Sequence, residues 1–80
     1  MEKVKNAVDF IVKNLVDDAE SVEVTCEQNE NNVDCFVLVS ENDIGKVIGK
    51  NGKVANAIRM VVRTIGKKDN FRVNVKIDKK

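Results

Sequence analysis

The run Gly45-Lys46-Val47-Ile48-Gly49-Lys50-Asn51-Gly52-Lys53 gathers the residues best suited to chemistry, and that chemistry is the holding of an anion. Gly49 and Gly52 flank two polar residues, so the backbone can turn sharply there and approach a ligand with no Cβ in the way. A helix starting after Gly52 offers its first unpaired N–H groups and its positive dipole end to a negative group. Lys50 and Lys53 bring charge to the same spot. Together these parts suit a phosphate backbone, although the same glycines would also serve a plain tight turn between two helices.

The distribution of charge favours the first reading. Overall the chain is nearly balanced, with 14 basic and 13 acidic residues. Residues 44–68 nevertheless hold Lys46, Lys50, Lys53, Arg59, Arg63, Lys67 and Lys68 and no acidic residue, a net +7, while the rest carries −6. Such asymmetry builds a local positive field that attracts polyanions even at a net charge near zero. Catalysis has no comparable support. The chain lacks histidine, neither cysteine lies in the basic segment, and no carboxylate pair sits near the glycines, so no enzyme, metal site or cofactor is expected.

The elements that must position this loop follow from hydrophobic periodicity. Val4, Ala7, Val8, Ile11, Val12 and Leu15 recur at three- and four-residue spacing, which predicts a helix ending after Leu15 or Val16. Val22, Val24 and Cys26 alternate with Glu23, Thr25 and Glu27 as in a half-buried strand, and Gln28 to Asn32 reads as a polar turn. A second strand, Val33 to Val39, puts Val33, Cys35, Val37 and Val39 on the core face and leaves Phe36 and Leu38 on the other. Pairing Gln28 with Val33 would set Cys26 opposite Cys35. A disulfide is then conceivable, but in a reducing compartment two buried free thiols are expected.

Ser40 to Asp43 is rich in N-cap residues, and Ile44 to Ile48 has room only for a short helix before Gly49. The helix after Gly52 keeps helical spacing through Val54, Ala57, Ile58, Val61 and Ile65, with Gly66 expected as its C′ cap. Phe71, Val73, Val75 and Ile77 alternate with polar residues as a third strand. The predicted order is α-β-β-α-α-β, an α+β fold with three helices packed on one face of a three-stranded sheet. With 42% hydrophobic and 34% charged residues the chain is neither disordered nor membrane-spanning in composition. The start, Met1-Glu2-Lys3-Val4-Lys5, has no apolar secretory core, so a cytoplasmic location is expected.

With that order in place, Gly45 to Gly52 resembles the GxxG signature of KH domains, which clamp about four nucleotides by their backbone. The order α-β-β-α-α-β resembles the type II KH fold. The chain, residues 1–80, is similar as one single domain to the small stand-alone bacterial KH proteins of the KhpA family. One departure is Ala55, three positions after the second glycine, where the broader pattern often carries a large aliphatic residue.

The resemblance implies single-stranded RNA lying in a groove between the two short helices and the sheet edge, its phosphates against Gly49, Lys50, Asn51 and Gly52. Lys46 and Lys53 would add charge, and Ile44, Val47 and Ile48 would touch bases, unless they pack in the core instead. Arg59 and Arg63, with Lys67 and Lys68 beyond, would either extend the RNA path or balance the helix dipole. The chain has no Trp or Tyr and three Phe, so base stacking on aromatic rings is not available and modest, salt-sensitive affinity is expected. The implied role is post-transcriptional regulator or RNA chaperone. The implied partner is a second copy or a KhpB (Jag)-type RNA-binding protein. The alternative is a protein-interaction module that uses the apolar pair Phe36 and Leu38.

Overall fold

Val4, Val8 and Val12 stand four apart in sequence and therefore one above another on a helix, and all three are buried. They form the core stripe of α1, Glu2–Leu15. The structure, a computed structural model, describes residues 2–80. After a single 3-10 turn at Ala19–Ser21, the strands β1 (Glu23–Asn29) and β2 (Asn32–Val39) make an antiparallel hairpin. Then come α2 (Ile44–Ile48), a 3-10 turn at Lys50–Gly52, α3 (Lys53–Lys67) and β3 (Arg72–Lys79). The sheet order is β1-β2-β3, with β3 parallel to the central strand β2. A parallel pair needs a long crossover. Here α2 and α3 supply it, which is why the glycine-rich run sits at the corner of the crossover.

The hairpin has the expected register. Gln28 pairs with Val33 and Cys26 with Cys35, and both cysteines are free thiols. Cys35 is fully buried and Cys26 half-buried, and burial pushes the Cys35 thiol up to about 12. Val33, Cys35, Val37 and Val39 of β2 meet Val73 and Val75 of β3 beneath the helices. On the outer face the cross-strand rows are Glu23-Leu38-Asp78, Thr25-Phe36-Lys76 and Glu27-Asp34-Asn74. Phe36 is 38% exposed there, in a rim that is mostly acidic.

α3 departs from its expected face. The residues it buries are Ala55, Ile58, Val62 and Gly66, whereas Ala57 is exposed and Val61 is 47% exposed. Apolar side chains occupy so much of this helix that two neighbouring stripes satisfy its periodicity. The small residues decide between them, because they let the helix backbone approach the sheet. A Cβ on Gly66 would stand 2.4 Å from Val73 Cγ2. Gly66 is accordingly inside the helix and not its C′ residue. That role falls to Asn70, which takes φ 63° while Phe71 N–H donates to Gly66 O at 2.9 Å and Asn70 N–H to Lys67 O at 3.1 Å. These two bonds are the paired closure of a Schellman motif. Asparagine fills the left-handed position that glycine was expected to take.

Candidate nucleic-acid interface

The junction between α2 and α3 is built on three successive demands for unusual backbone. Gly49 ends α2 with φ 76° and ψ 173°, and its N–H donates to Gly45 O at 2.9 Å. A Cβ there would lie 2.4 Å from Val54 Cγ2 and 2.9 Å from Val54 N, so any side chain would displace the first turn of α3. Asn51 (φ 57°) and Gly52 (φ 75°) follow in the left-handed region, and Gly52 N–H donates to Gly49 O at 3.2 Å. A Cβ on Gly52 would meet nothing, so its requirement is one of φ alone. Lys50 and Asn51 stand at the tip, both exposed, with Lys53 exposed beside them. Among the described residues no side chain caps the start of α3, a helix of 15 residues. Backbone carbonyls take its first donors, Gly49 O from Gly52 N–H and Lys50 O from Lys53 N–H, and the positive end of its dipole lies beside two lysines.

The structure separates the remaining candidates by accessibility. Val47 is 0% exposed and belongs to the core, which corrects the expectation that it touches bases. A five-residue helix needs at least one residue driven into the core to hold it down, and Val47 is that residue. Ile44 is half-buried against the core, and Ile48 is half-buried beside Gly49. Ala55 is buried on the inner side of α3, so the small residue at that position serves helix–sheet packing.

Lys46 is already paired. Its ammonium forms an ion pair with Asp17 and lies 3.5 Å from Asp43 Oδ1. The hydrogen bond from Lys46 to Asp17, together with the charges of Asp17 and Asp43, raises the lysine's pKa. Asp43, the last of the N-cap-type residues before α2, makes no side-chain capping bond to it. It is 2% exposed and instead accepts the backbone N–H of Asp18 at 3.0 Å and of Asp17 at 3.3 Å. Those bonds, the one from Asp18 foremost, and the Lys46 charge hold its carboxyl below the usual range against the opposing effect of burial.

Arg59 and Arg63 are neither free nor merely solvated. Arg59 Nε donates to Val75 O at 3.1 Å and its Nη1 to Asn56 Oδ1 at 3.1 Å, while Arg63 Nε donates to Val73 O at 3.4 Å. Both bridge α3 to the outer edge of β3, where, among the described residues, no further strand takes up the carbonyls. Two depressions meet here and share Arg63 and Lys67. One lies on α3 alone, among Asn56, Arg59 and Met60, and the other lies between α3 and β3, among Phe71, Val73 and Asn74. The sequence marks Phe71 only as a strand residue and does not single out Asn56 or Met60, and only the spacing of Asn56 and Met60 around Arg59 signals their common face.

The profile of the KhpA/KhpB KH domain matches residues 5–77. The RNA-binding protein KhpA of Clostridium perfringens is 44% identical over 73 residues, which cover 91% of this chain and 97% of that one. The chain belongs to the KhpA/KhpB family of KH domains. KhpA of Chlamydia trachomatis is 38% identical over 73 residues, covering 91% of this chain and 94% of the relative. Among solved structures, Era, crystallised with MgGDPNP and nucleotides 1506–1542 of 16S ribosomal RNA, shares the fold with a TM-score of 0.69 at 19% identity. That match covers 95% of this chain and 29% of the Era chain, so the likeness is to one part of a larger protein. The KH fold, three helices over a three-stranded sheet, is thus shown by both sequence and structure.

Proposed function

We propose that this protein binds single-stranded RNA as a single KH domain over residues 1–80, and that it acts in the cytoplasm as a regulator or chaperone of RNA. The observation that carries the reading is the Gly49–Gly52 junction, where left-handed backbone, two exposed lysines and an uncapped helix N-terminus meet. The naming of KhpA relatives as RNA-binding proteins supports it. Phosphates rest against Gly49, Lys50, Asn51 and Gly52, with Lys53 adding charge. Ile44 and Ile48 give the bases apolar contact, and the strand runs on along the α3–β3 seam past Arg59. Lys46 contributes through its place at the foot of α2, since its charge is matched by Asp17 and Asp43.

Contacts of this kind read backbone more than base. About three neutralised phosphates give a slope near −2 in log affinity against log salt for a single strand. Fluorescence anisotropy with short single-stranded RNAs, and with a duplex of the same sequence, tests the proposal. Steep salt dependence, weak sequence preference and poorer duplex binding are expected. Strong preference for one tetranucleotide at fixed salt, or equal binding of duplex, would contradict this mode of recognition.

A partner-binding role stands beside this one because Phe36 and Leu38 occupy the outer sheet face away from the RNA loop. We propose that this face carries association with a second copy or a KhpB-type protein. Burying each residue contributes about 1.5–3 kcal/mol before the cost of association. Sedimentation of Leu38→Glu checks it. Met60 and Val61 on α3, 70% and 47% exposed, are the competing apolar surface. A Val61→Glu variant that loses association while Leu38→Glu keeps it would move the interface there.

A further inference from the structure

α2 is five residues long and cannot hold its own shape, so its orientation must be fixed from outside. Val47 anchors its middle in the core. Its far end runs straight into Gly49, and any tilt of α2 therefore moves the loop. The near end is held by Asp43. This residue is the one charged residue buried among those described, and the RNA-binding reading makes no use of it. Its two carboxylate oxygens take the Asp17 and Asp18 N–H groups of the connection between α1 and β1, 26 and 25 positions away in sequence. Lys46, one turn into α2, closes the cluster by pairing with both Asp17 and Asp43.

We propose that Asp43 is a positioning residue for the phosphate loop: by clamping the foot of α2 to the α1–β1 connection it sets where Gly49–Gly52 stand relative to α3. The proposal rests on the RNA-binding reading for its functional consequence, but not for its geometry. Asp43 touches no RNA in this scheme. It acts through α2, and the chain needs a carboxylate there because two backbone donors and one ammonium converge on it.

The sign of the effect separates positioning from electrostatics. Asp43→Asn removes a negative charge close to an RNA site, which by charge alone tightens binding. It also leaves one of the two backbone donors poorly served, which by positioning loosens it. At a temperature where circular dichroism shows the variant fully native, anisotropy with a short fluorescein-labelled single-stranded RNA should show affinity lower by roughly tenfold. The amide signals of Gly49 and Gly52 should shift in 1H–15N spectra of the RNA-free protein. Unchanged or tighter binding by the folded variant, with those signals unmoved, overturns the proposal and leaves Asp43 a stabilising residue only.

Should Asp43→Asn fail to fold, Lys46→Gln decides, because it keeps both carboxylate acceptors and loosens only the third contact. Positioning then gives shifted Gly49 and Gly52 signals and weaker binding at an unchanged salt slope. Unmoved signals, or a slope shallower by about 0.7, the value of one lost phosphate contact, overturn it. If the parent protein binds no single-stranded RNA, the RNA-binding reading fails, and the glycine signals still test the clamp.

Discussion

The two ends of α3 are built from nearly the same parts and present opposite chemistry. At its start Gly49 leaves the space that Val54 fills, and at its end Gly66 leaves the space that Val73 fills, each 2.4 Å from the missing Cβ. Each end has an asparagine in the left-handed region, Asn51 at φ 57° and Asn70 at φ 63°. Each end is lysine-rich, with Lys50 and Lys53 against Lys67 and Lys68. What differs is the polarity of the backbone and how it is closed. The start presents donors and has no side-chain cap, its Gly52 and Lys53 N–H groups turning back onto Gly49 O and Lys50 O. At the end, Gly66 O accepts from Asp69 N–H at 3.0 Å and from Phe71 N–H at 2.9 Å, and Lys67 O accepts from Asn70. Glycine, asparagine and lysine thus specify a turn, and helix direction decides whether that turn attracts a phosphate. Lys67 and Lys68 sit at the negative end of the dipole, where cations stabilise the helix without any ligand.

The largest expected effect is on the N-terminal end. Changing Lys50 and Asn51 together to Asp puts two negative charges where the proposed mode rests phosphates, and RNA affinity should fall by about a hundredfold or more. Both side chains are exposed and Asp tolerates the left-handed region, so circular dichroism and melting should stay native. The matching change of Lys67 and Lys68 to Asp should cost about threefold in affinity, but about 0.3–1 kcal/mol of stability per residue through the dipole. Equal losses of affinity at the two ends would break the comparison.

A smaller effect belongs to the C-terminal end. Gly66→Ala drives a methyl group into Val73, and overpacking of this kind destabilises by about 1–3 kcal/mol. In an 80-residue domain each kcal/mol lowers the melting temperature by about 4–8 °C. Affinity measured well below that melt should match the parent. A loss of RNA binding by fully folded Gly66→Ala would mean that the seam beside β3 carries more of the RNA than the loop does.

The sequence reading succeeded where one pattern has one solution. Alternation fixed the β2 core face at Val33, Cys35, Val37 and Val39, and the two-glycine spacing located the loop between two helices. It failed where two solutions fit. In α3, the expected set Val54, Ala57, Ile58, Val61 and Ile65 keeps helical spacing as well as Ala55, Ile58, Val62 and Gly66 do; the two share Ile58, and the approach of β3 at Val73 selects the second. The role of Asp43 is hidden for a related reason. It is one of several N-cap-type residues before a helix, and nothing nearby in sequence shows that its donors come from Asp17 and Asp18. Arg59 and Arg63 read as solvated or RNA-facing because a backbone carbonyl on another strand leaves no mark in the sequence.

The smallest effect compares the two asparagines directly. A left-handed residue other than glycine is strained, by less for asparagine than for most, and glycine removes that strain while adding freedom to the unfolded chain. The two contributions nearly cancel, so Asn51→Gly and Asn70→Gly should each change stability by no more than about 0.5 kcal/mol, a shift readable in paired urea melts. Their effects on RNA should differ. Asn70 closes a helix through its backbone alone, so its side chain is dispensable and affinity should hold. Asn51 stands exposed at the loop tip, where an amide donor reaches a phosphate oxygen in the proposed mode, and its loss should weaken binding by about two- to threefold. If both variants bind as the parent does, the grip on phosphate comes from backbone N–H groups and lysine charge, and Asn51 is present for its backbone conformation, just as Asn70 is.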